Sequence, residues 1–358
     1  MPVVYGSSHA WQKLLAKYGL LIFLVVITVG FSIFLPSTFS TVLTWKDMLQ
    51  ANYLIVILAI AETICIACGE FDLSIANNVI LLHILCLGLI ERQHVAWYLA
   101  CLVVLVIAAG IGAINGMLVY FWRISSFVVT LGVGTIVLGF ALLYTGPLQI
   151  MGPLPQDFVN LENSAPLGVP DAAIAVLVIV IVMTIVMELT VSGRYFYALG
   201  ANRKAAVLAG IRPGKYIIGV FVASGILTGI GAIMYASQFG VSDEQSAQGF
   251  FLPLFTAAIL GSSVMRPGRP NIVGTLIAVA VLGVGFTGLL QLGSGVPSQD
   301  VFNGLALIFG VGLAGTVARR ANSVRKESQT LSLPSLPEDV SDIVPQEILN
   351  TEADHPSS

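Results

Sequence analysis

Four polar groups lie in or beside long apolar runs of this chain: Glu62, Asp72, Asn77 and Asn78. A charge at the centre of a bilayer costs about 2.5–3.5 kcal/mol on insertion scales, so Glu62 needs a partner, a water-filled path or a proton. Ion-driven carriers line a path with several such groups, and one deep carboxylate is a thin basis for that chemistry. The segment Glu70 to Asn78 reads in two ways. It is the polar lining of a solute path, or Asp72 caps the following helix by accepting from its free N–H groups and the asparagines bond between helices.

Other chemistries find less support. Cys65 and Cys68 form a C-x-x-C, but no second pair or neighbouring His completes a metal site, so both read as small buried hydrophobes. Two G-x-G-x-x-G matches, Gly283-Gly285-Gly288 and Gly310-Gly312-Gly315, fall inside apolar runs rather than between a strand and a helix. They read as close helix contacts, as do the Gly112–Gly116 and Gly225–Gly229 spacings. No G-x-x-x-x-G-K-[ST] is present, so the sequence offers no phosphate-binding loop for a nucleoside triphosphate. His83 stands by itself in an apolar run and reads as a packed or bonded histidine. An enzyme is not expected, nor a cofactor, a metal or a nucleic-acid partner.

The elements that must position these groups follow from composition. Hydrophobic residues make up 56% of the chain and charged residues 10%, against roughly 25% charged in soluble domains. The expected fold is an all-α polytopic membrane protein of about ten transmembrane helices. The spans are expected near 18–35, 49–68, 75–90, 97–120, 127–144, 171–189, 216–238, 250–265, 271–292 and 301–317. The first run is too long for a signal-peptide core and is followed by Pro36, so it reads as a retained helix. Gly146 to Pro170 reads as a long loop with five prolines.

The longest basic interruption is Val191 to Lys215. It carries Arg194, Arg203, Lys204, Arg212 and Lys215 and no acidic residue. Small and apolar residues three and four apart predict a short helix between Tyr195 and Ile211. Gly210 is expected to stop it, and Pro213 to prevent its continuation. Glu188, near the end of the preceding span, is expected beside Arg194. With ten spans and both termini cytoplasmic, every Lys and Arg except Lys46 and Arg92 falls on the inner side, the bias expected of cytoplasmic loops. Three regions follow: an N-terminal cytoplasmic segment 1–17, a transmembrane domain 18–318 containing the basic segment 191–215, and a tail 319–358. That tail is acidic, rich in Ser and Pro, and expected to be disordered.

Four blocks together resemble the permease subunit of ribose-type sugar ABC importers, the branch that includes autoinducer-2 permeases. Gly69-Glu70-Phe71-Asp72-Leu73-Ser74-Ile75-Ala76 is similar to G-G-I-D-L-S-V-G. Asn115-Gly116-Met117-Leu118-Val119 and Phe127 to Gly132 resemble I-N-G-x-L-V and P-F-I-x-T-L-G. Gly193 to Asn202, with Ala205-Ala206 and Ala209-Gly210-Ile211, resembles the coupling segment G-R-x-x-Y-A-I-G-G-N-x-x-A-A-x-x-S-G-I. Leu260-Gly261 and Gly274-Thr275-Leu276 resemble L-G-G…G-T-x-x-G. The chain departs from these patterns at Glu70, Phe71 and Ala76, at Arg203-Lys204 (where a proline or an acidic residue is usual), and at Asn303, where a lysine is common.

The resemblance implies a non-catalytic subunit in a bacterial inner membrane. Two permease chains, alike or different, form the path; two ATPase subunits bind below, and a periplasmic or extracellular binding protein delivers a sugar-like solute above. Gly200, Ala201, Asn202, Arg203, Lys204, Ala205, Ala206 and Gly210 are the implied ATPase-coupling residues, with Arg203 and Lys204 expected to meet acidic groups on the ATPase. Glu62, Asp72, Asn77 and Asn78 are the candidate path residues. The alternative is a secondary transporter driven by ions through Glu62 and Asp72.

Overall fold

In lipid a backbone must satisfy its own hydrogen bonds, and runs of this length do so as helices. The computed structural model describes residues 8–164, 170–242, 249–262 and 268–309. The helices are α1 (Ser8–Phe34), α2 (Val42–Ala67), α3 (Ile75–Glu91), α4 (Trp97–Phe121), α5 (Ser126–Thr145), α6 (Gln156–Asn163), α7 (Asp171–Leu189), α8 (Val191–Ala201), α9 (Arg203–Leu208), α10 (Pro213–Phe239), α11 (Phe251–Gly261) and α12 (Ile272–Gln291). A last helix, α13, covers 298–309, where the described residues end. Among the described residues there is no strand, only an isolated antiparallel bridge between Met151 and Val241. The tail 319–358 and the glycines at 310, 312 and 315 lie outside the described residues.

Among the described residues six helices are long and apolar enough to cross a membrane: α2, α4, α5, α7, α10 and α12. The Tyr18–Phe34 part of α1, α3 and α11 are shorter apolar helices. With 17 and 11 residues, α3 and α11 rise about 25 and 16 Å, against a hydrocarbon core of about 30 Å.

Helix α2 is the core element, buried almost without interruption from Tyr53 to Ala67, and α10 packs against α2, α3, α4 and α6. Helices α4 and α10 share the most extensive contact, and small residues permit it. A Cβ on Gly112 would lie 2.1 Å from the Phe221 carbonyl oxygen, and one on Gly225 would lie 2.2 Å from that of Ala108. The described G-x-G-x-x-G match does the same for three neighbours. Gly283 makes room for Asn52, Gly285 for the Phe302 ring and Gly288 for the Phe31 ring. By contrast α5 and α7 bury only a minority of their surface, and their exposed Leu, Ile and Val side chains suit lipid or another apolar chain.

Three differences from the sequence reading have local causes. Helix α2 begins at Val42 because Thr41 caps it, accepting the Thr44 N–H at 3.1 Å. The long loop contains α6, held by the fully buried Phe158, whose ring lies 6.4 Å from that of Trp97 and whose carbonyl accepts the Ser237 hydroxyl at 2.7 Å. Pro213 opens α10 rather than merely ending what precedes it: at the first helical position its missing N–H costs nothing.

Candidate functional site

The break between α2 and α3 shows how irregular backbone survives within an apolar surrounding. Gly69 ends α2 in the left-handed conformation, φ 82°. The Gly69 N–H donates to the Ile66 carbonyl and the Glu70 N–H to that of Cys65, both at 3.0 Å, the double bond pattern of a glycine-terminated helix. Each amide that follows finds an acceptor. Phe71 N–H donates to Ser126 Oγ at 3.1 Å, Asp72 N–H to Glu62 Oε2 at 3.0 Å, Leu73 N–H to Thr130 Oγ1 at 3.0 Å and Ser74 N–H to Asp72 Oδ1 at 3.1 Å. In hydrocarbon each missing partner would cost several kcal/mol, so α2 and α5 supply side chains in place of water.

Asp72 is the hub. Its Oδ1 also accepts the Ser74 hydroxyl at 2.5 Å, and its Oδ2 accepts the Ser224 hydroxyl of α10 at 2.8 Å. Ser74 Oγ in turn accepts the amide groups of Asn78 at 3.0 Å and of Asn115, on α4, at 2.9 Å. One cluster therefore ties together α2, α3, α4, α5 and α10. It corrects the expectation that Asp72 caps α3 directly. The N-cap is Ser74, and Asp72 braces Ser74 from two residues before. Glu62 Oε1, Asn78 Oδ1 and Asn115 Oδ1 have no partner among the described residues. Asn77 stands apart, half-buried, its amide nitrogen 3.3 Å from where a side chain on Gly134 of α5 would begin. Of the four candidate path residues the structure gathers Glu62, Asp72 and Asn78, and with them Ser74, Asn115, Ser126, Thr130 and Ser224. These partners lie up to 152 residues away; Ser74, Asn115 and Thr130 fall in the blocks that carry the resemblance, whereas Ser126 and Ser224 carried no sequence signal.

The basic segment is two helices rather than one. Thr190 caps α8, accepting the Gly193 N–H at 3.2 Å. Gly193 allows the tight turn out of α7, since a Cβ there would lie 2.2 Å from the Met187 carbonyl oxygen. Asn202 breaks the helix: its extended backbone ends α8 and its Oδ1 accepts the Ala205 N–H at 3.1 Å, capping α9. Gly210, φ 84°, ends α9 with the same double pattern as Gly69, through Gly210 N–H to Val207 O and Ile211 N–H to Ala206 O.

Gly193, Phe196 and Leu199, spaced by three, form the buried face of α8. Its last turn meets the break backbone to backbone: a Cβ on Gly200 would lie 2.3 Å from the Ala67 carbonyl oxygen, and one on Gly69 would lie 3.2 Å from Gly200 Cα. Tyr197 fastens the other side, donating to the Pro270 carbonyl at 2.8 Å under the Arg269 guanidinium, 3.7 Å from the ring centre. Burial first, and then the Glu188 carboxylate, raise the phenol's pKa and keep it a donor. Glu188 lies 3.4 Å from the Tyr197 hydroxyl.

The coupling candidates divide by exposure. Ala206 is buried, whereas Gly200, Ala201, Asn202, Lys204, Ala205 and Gly210 are exposed. Arg203, expected to face another protein, turns back and pairs with Glu70. Among the exposed residues of α9 the longer side chains besides Arg203 are Lys204, Val207 and Leu208, the last 89% exposed. A cleft of about 870 Å³ opens beside this joint, lined by Glu70, Phe71, Arg123, Ser126, Asn202 and Arg203 among others.

Known proteins resemble this chain in sequence. A protein-family model described as "Branched-chain amino acid transport system / permease component" matches residues 46–311. The probable ABC transporter permease protein YphD of Escherichia coli (strain K12) is 28% identical over 91% of this chain and 98% of its own length. The L-arabinose ABC transporter permease protein AraH of Azospirillum brasilense is 30% identical over 78% of this chain and 81% of its own. The autoinducer 2 import system permease protein LsrD of Escherichia coli (strain K12) is 29% identical over 68% and 74%. No solved structure matches the chain.

Proposed function

The chain belongs to the branched-chain amino acid transport system / permease component family, and on that premise we propose that it is the membrane subunit of an ATP-driven importer of a sugar-like solute. The relatives that carry the solute class are named for L-arabinose and autoinducer 2, both small and rich in hydroxyl groups. This chain crosses the bacterial inner membrane about ten times with both termini in the cytoplasm. Segments 1–17 and 319–358 lie on that side, and a second permease chain completes the path. ATP is hydrolysed by separate subunits, and a binding protein delivers the solute from outside.

The observation that carries this reading is α9. A six-residue helix capped at both ends, docked through α8 and presenting Lys204, Val207 and Leu208 to solvent, makes a rigid knob for a cytoplasmic partner. An apolar side chain as exposed as Leu208 on such a knob calls for a complementary pocket. Gly200 to Gly210 are the coupling residues in this scheme, Lys204 being the cation left to meet acidic groups on the ATPase.

Within the membrane, Glu62, Asp72 and Asn78 brace the break that the path must pass, and Asn77 faces α5 beside it. The ion-driven alternative loses its carriers here: Glu62 Oε2 and both Asp72 oxygens are engaged in holding the break. The test is uptake of labelled L-arabinose, D-ribose and autoinducer 2 by cells expressing the chain with its neighbouring ATPase and binding-protein genes. Uptake that survives a protonophore and vanishes when the ATPase phosphate-binding lysine is replaced supports the proposal. Uptake that follows the proton gradient without the ATPase contradicts it.

A further inference from the structure

Two charges face each other where the coupling segment meets the break. Arg203 is the first residue of α9, and Glu70 follows the glycine that ends α2. The Arg203 guanidinium and the Glu70 carboxylate form the one ion pair between described residues. The Glu70 side chain is 6% exposed and that of Arg203 47% exposed, so the carboxylate is held inside and the cation reaches in from the cytoplasmic cleft. Both positions depart from the motifs the chain resembles, one by gaining a negative charge and the other by gaining a positive one. A buried carboxylate deprived of its cation is strongly unfavourable, and so the two departures make sense together.

The pair lies in parallel with one contact and in series with another. On one side, Gly69 and Gly200 touch backbone to backbone. On the other, the residue two beyond Glu70 is Asp72, whose amide and carboxylate reach Glu62 of α2 and Ser224 of α10. A van der Waals contact between glycines resists compression but offers little resistance to separation. An ion pair resists separation. We propose that the Glu70–Arg203 pair is the tension-bearing strut between α9 and the break, so that movement of the coupling segment in either direction reaches the Asp72 cluster. Both are positioning residues. The inference rests on the reading of α9 as the ATPase docking element and adds the route by which its displacement enters the membrane.

The test needs no knowledge of the solute. Phe71, 38% exposed and lining the cleft, reports the break when replaced by cysteine. Its reaction rate with a water-soluble maleimide is measured in the purified permease–ATPase assembly, without nucleotide and with ATP and vanadate, against the same chain lacking the new cysteine. In the Phe71→Cys parent the nucleotide is expected to change the rate by about fivefold or more. The change is expected to vanish with Glu70→Gln or Arg203→Gln while the ATPase still co-purifies. It should return with the charge exchange Glu70→Arg/Arg203→Glu, which a loss of fold would not allow. A nucleotide response that persists in both single variants, that is absent from the parent, or that the exchange does not restore overturns the strut. Failure of the parent to hold the ATPase at all overturns the functional reading itself.

Discussion

The polar cluster around Asp72 and the polar segment from α8 to α9 are built on opposite plans. In the first, five consecutive amides, from Glu70 to Ser74, and the Ser74 and Ser224 hydroxyls find acceptors inside the protein, and the side chains are nearly all buried. In the second, the caps, the docking face and Arg203 find partners within the chain, and Lys204, Val207 and Leu208 are left to solvent. The difference teaches what each region is for. A network of buried hydrogen bonds fixes one geometry, whereas an exposed capped helix leaves side chains that, in the proposed scheme, meet the ATPase. The two meet at Gly69–Gly200 and Glu70–Arg203.

The harshest way to break the comparison is to remove the hub. Asp72→Ala leaves the Ser74 amide, the Ser74 hydroxyl and the Ser224 hydroxyl without their acceptor, at about 1–3 kcal/mol for each buried orphan. The expected result is loss of the monodisperse folded protein in detergent, with Asp72→Asn, which keeps one acceptor oxygen, intermediate in thermal unfolding. Retention of the parent unfolding temperature by the alanine variant would show that the cluster is ornamental.

The joint is the next target. Gly200→Ala drives a Cβ against the Ala67 carbonyl, where neither backbone can give way cheaply, and a loss of about 1–3 kcal/mol is expected. Gly132→Ala has nothing within 4 Å and should fall within about 0.5 kcal/mol of the parent. Equal unfolding temperatures for the two variants would erase the distinction between a packed joint and an open helix face.

Leu208→Asp sharpens the contrast from the other side. Its stability is expected to lie within about 0.5 kcal/mol of the parent, because Leu208 is almost fully exposed. Capture of the ATPase is expected to weaken about tenfold or more, which corresponds to 1.4 kcal/mol. A stable variant that holds the ATPase unchanged would remove α9 from the interface.

The smallest effect lies at the far end of α7, on α6. Glu162 is buried there with neither carboxylate oxygen bonded among the described residues. Burial, followed by the nearby Asp171 charge, raises its pKa to about 8. Because the folded value lies above the unfolded one, the folded state holds the proton more tightly. Stability from this group is complete below the unfolded value and is lost as pH climbs toward 8. Hydrogen exchange across α6 is expected to quicken relative to α7 between pH 5 and 8 beyond the intrinsic base dependence. Glu162→Gln should flatten that excess, and an unflattened profile would assign it to another group.

The sequence reading recovered the helices whose apolar runs exceed the thickness of a bilayer, and α7 to the residue, because Pro170 and Thr190 bound it on both sides. It shortened α2, since Thr44, Lys46 and Asp47 look like loop when the Thr41 cap is not considered. It missed α6, whose eight residues are polar on average. For the site, Gly210 is legible as a helix stop, whereas the Asn202 cap divides a helix that periodicity alone runs together. The pairing of the break's amides with their acceptors is not legible: Ser126 has no local signal, and Thr130, although in the Phe127–Gly132 block, approaches from 57 residues away. Arg203 remains exposed, and its pairing with Glu70, 133 residues distant, has no local signal.

The central claim is that the exposed knob of α9 faces the cytoplasm and is covered there by an ATPase. Leu208→Cys, treated with a membrane-impermeant maleimide, tests it most directly. The account predicts reaction in inverted membrane vesicles, none in intact cells, and slowed reaction once the ATPase is bound. Labelling of Leu208→Cys from outside intact cells would contradict it.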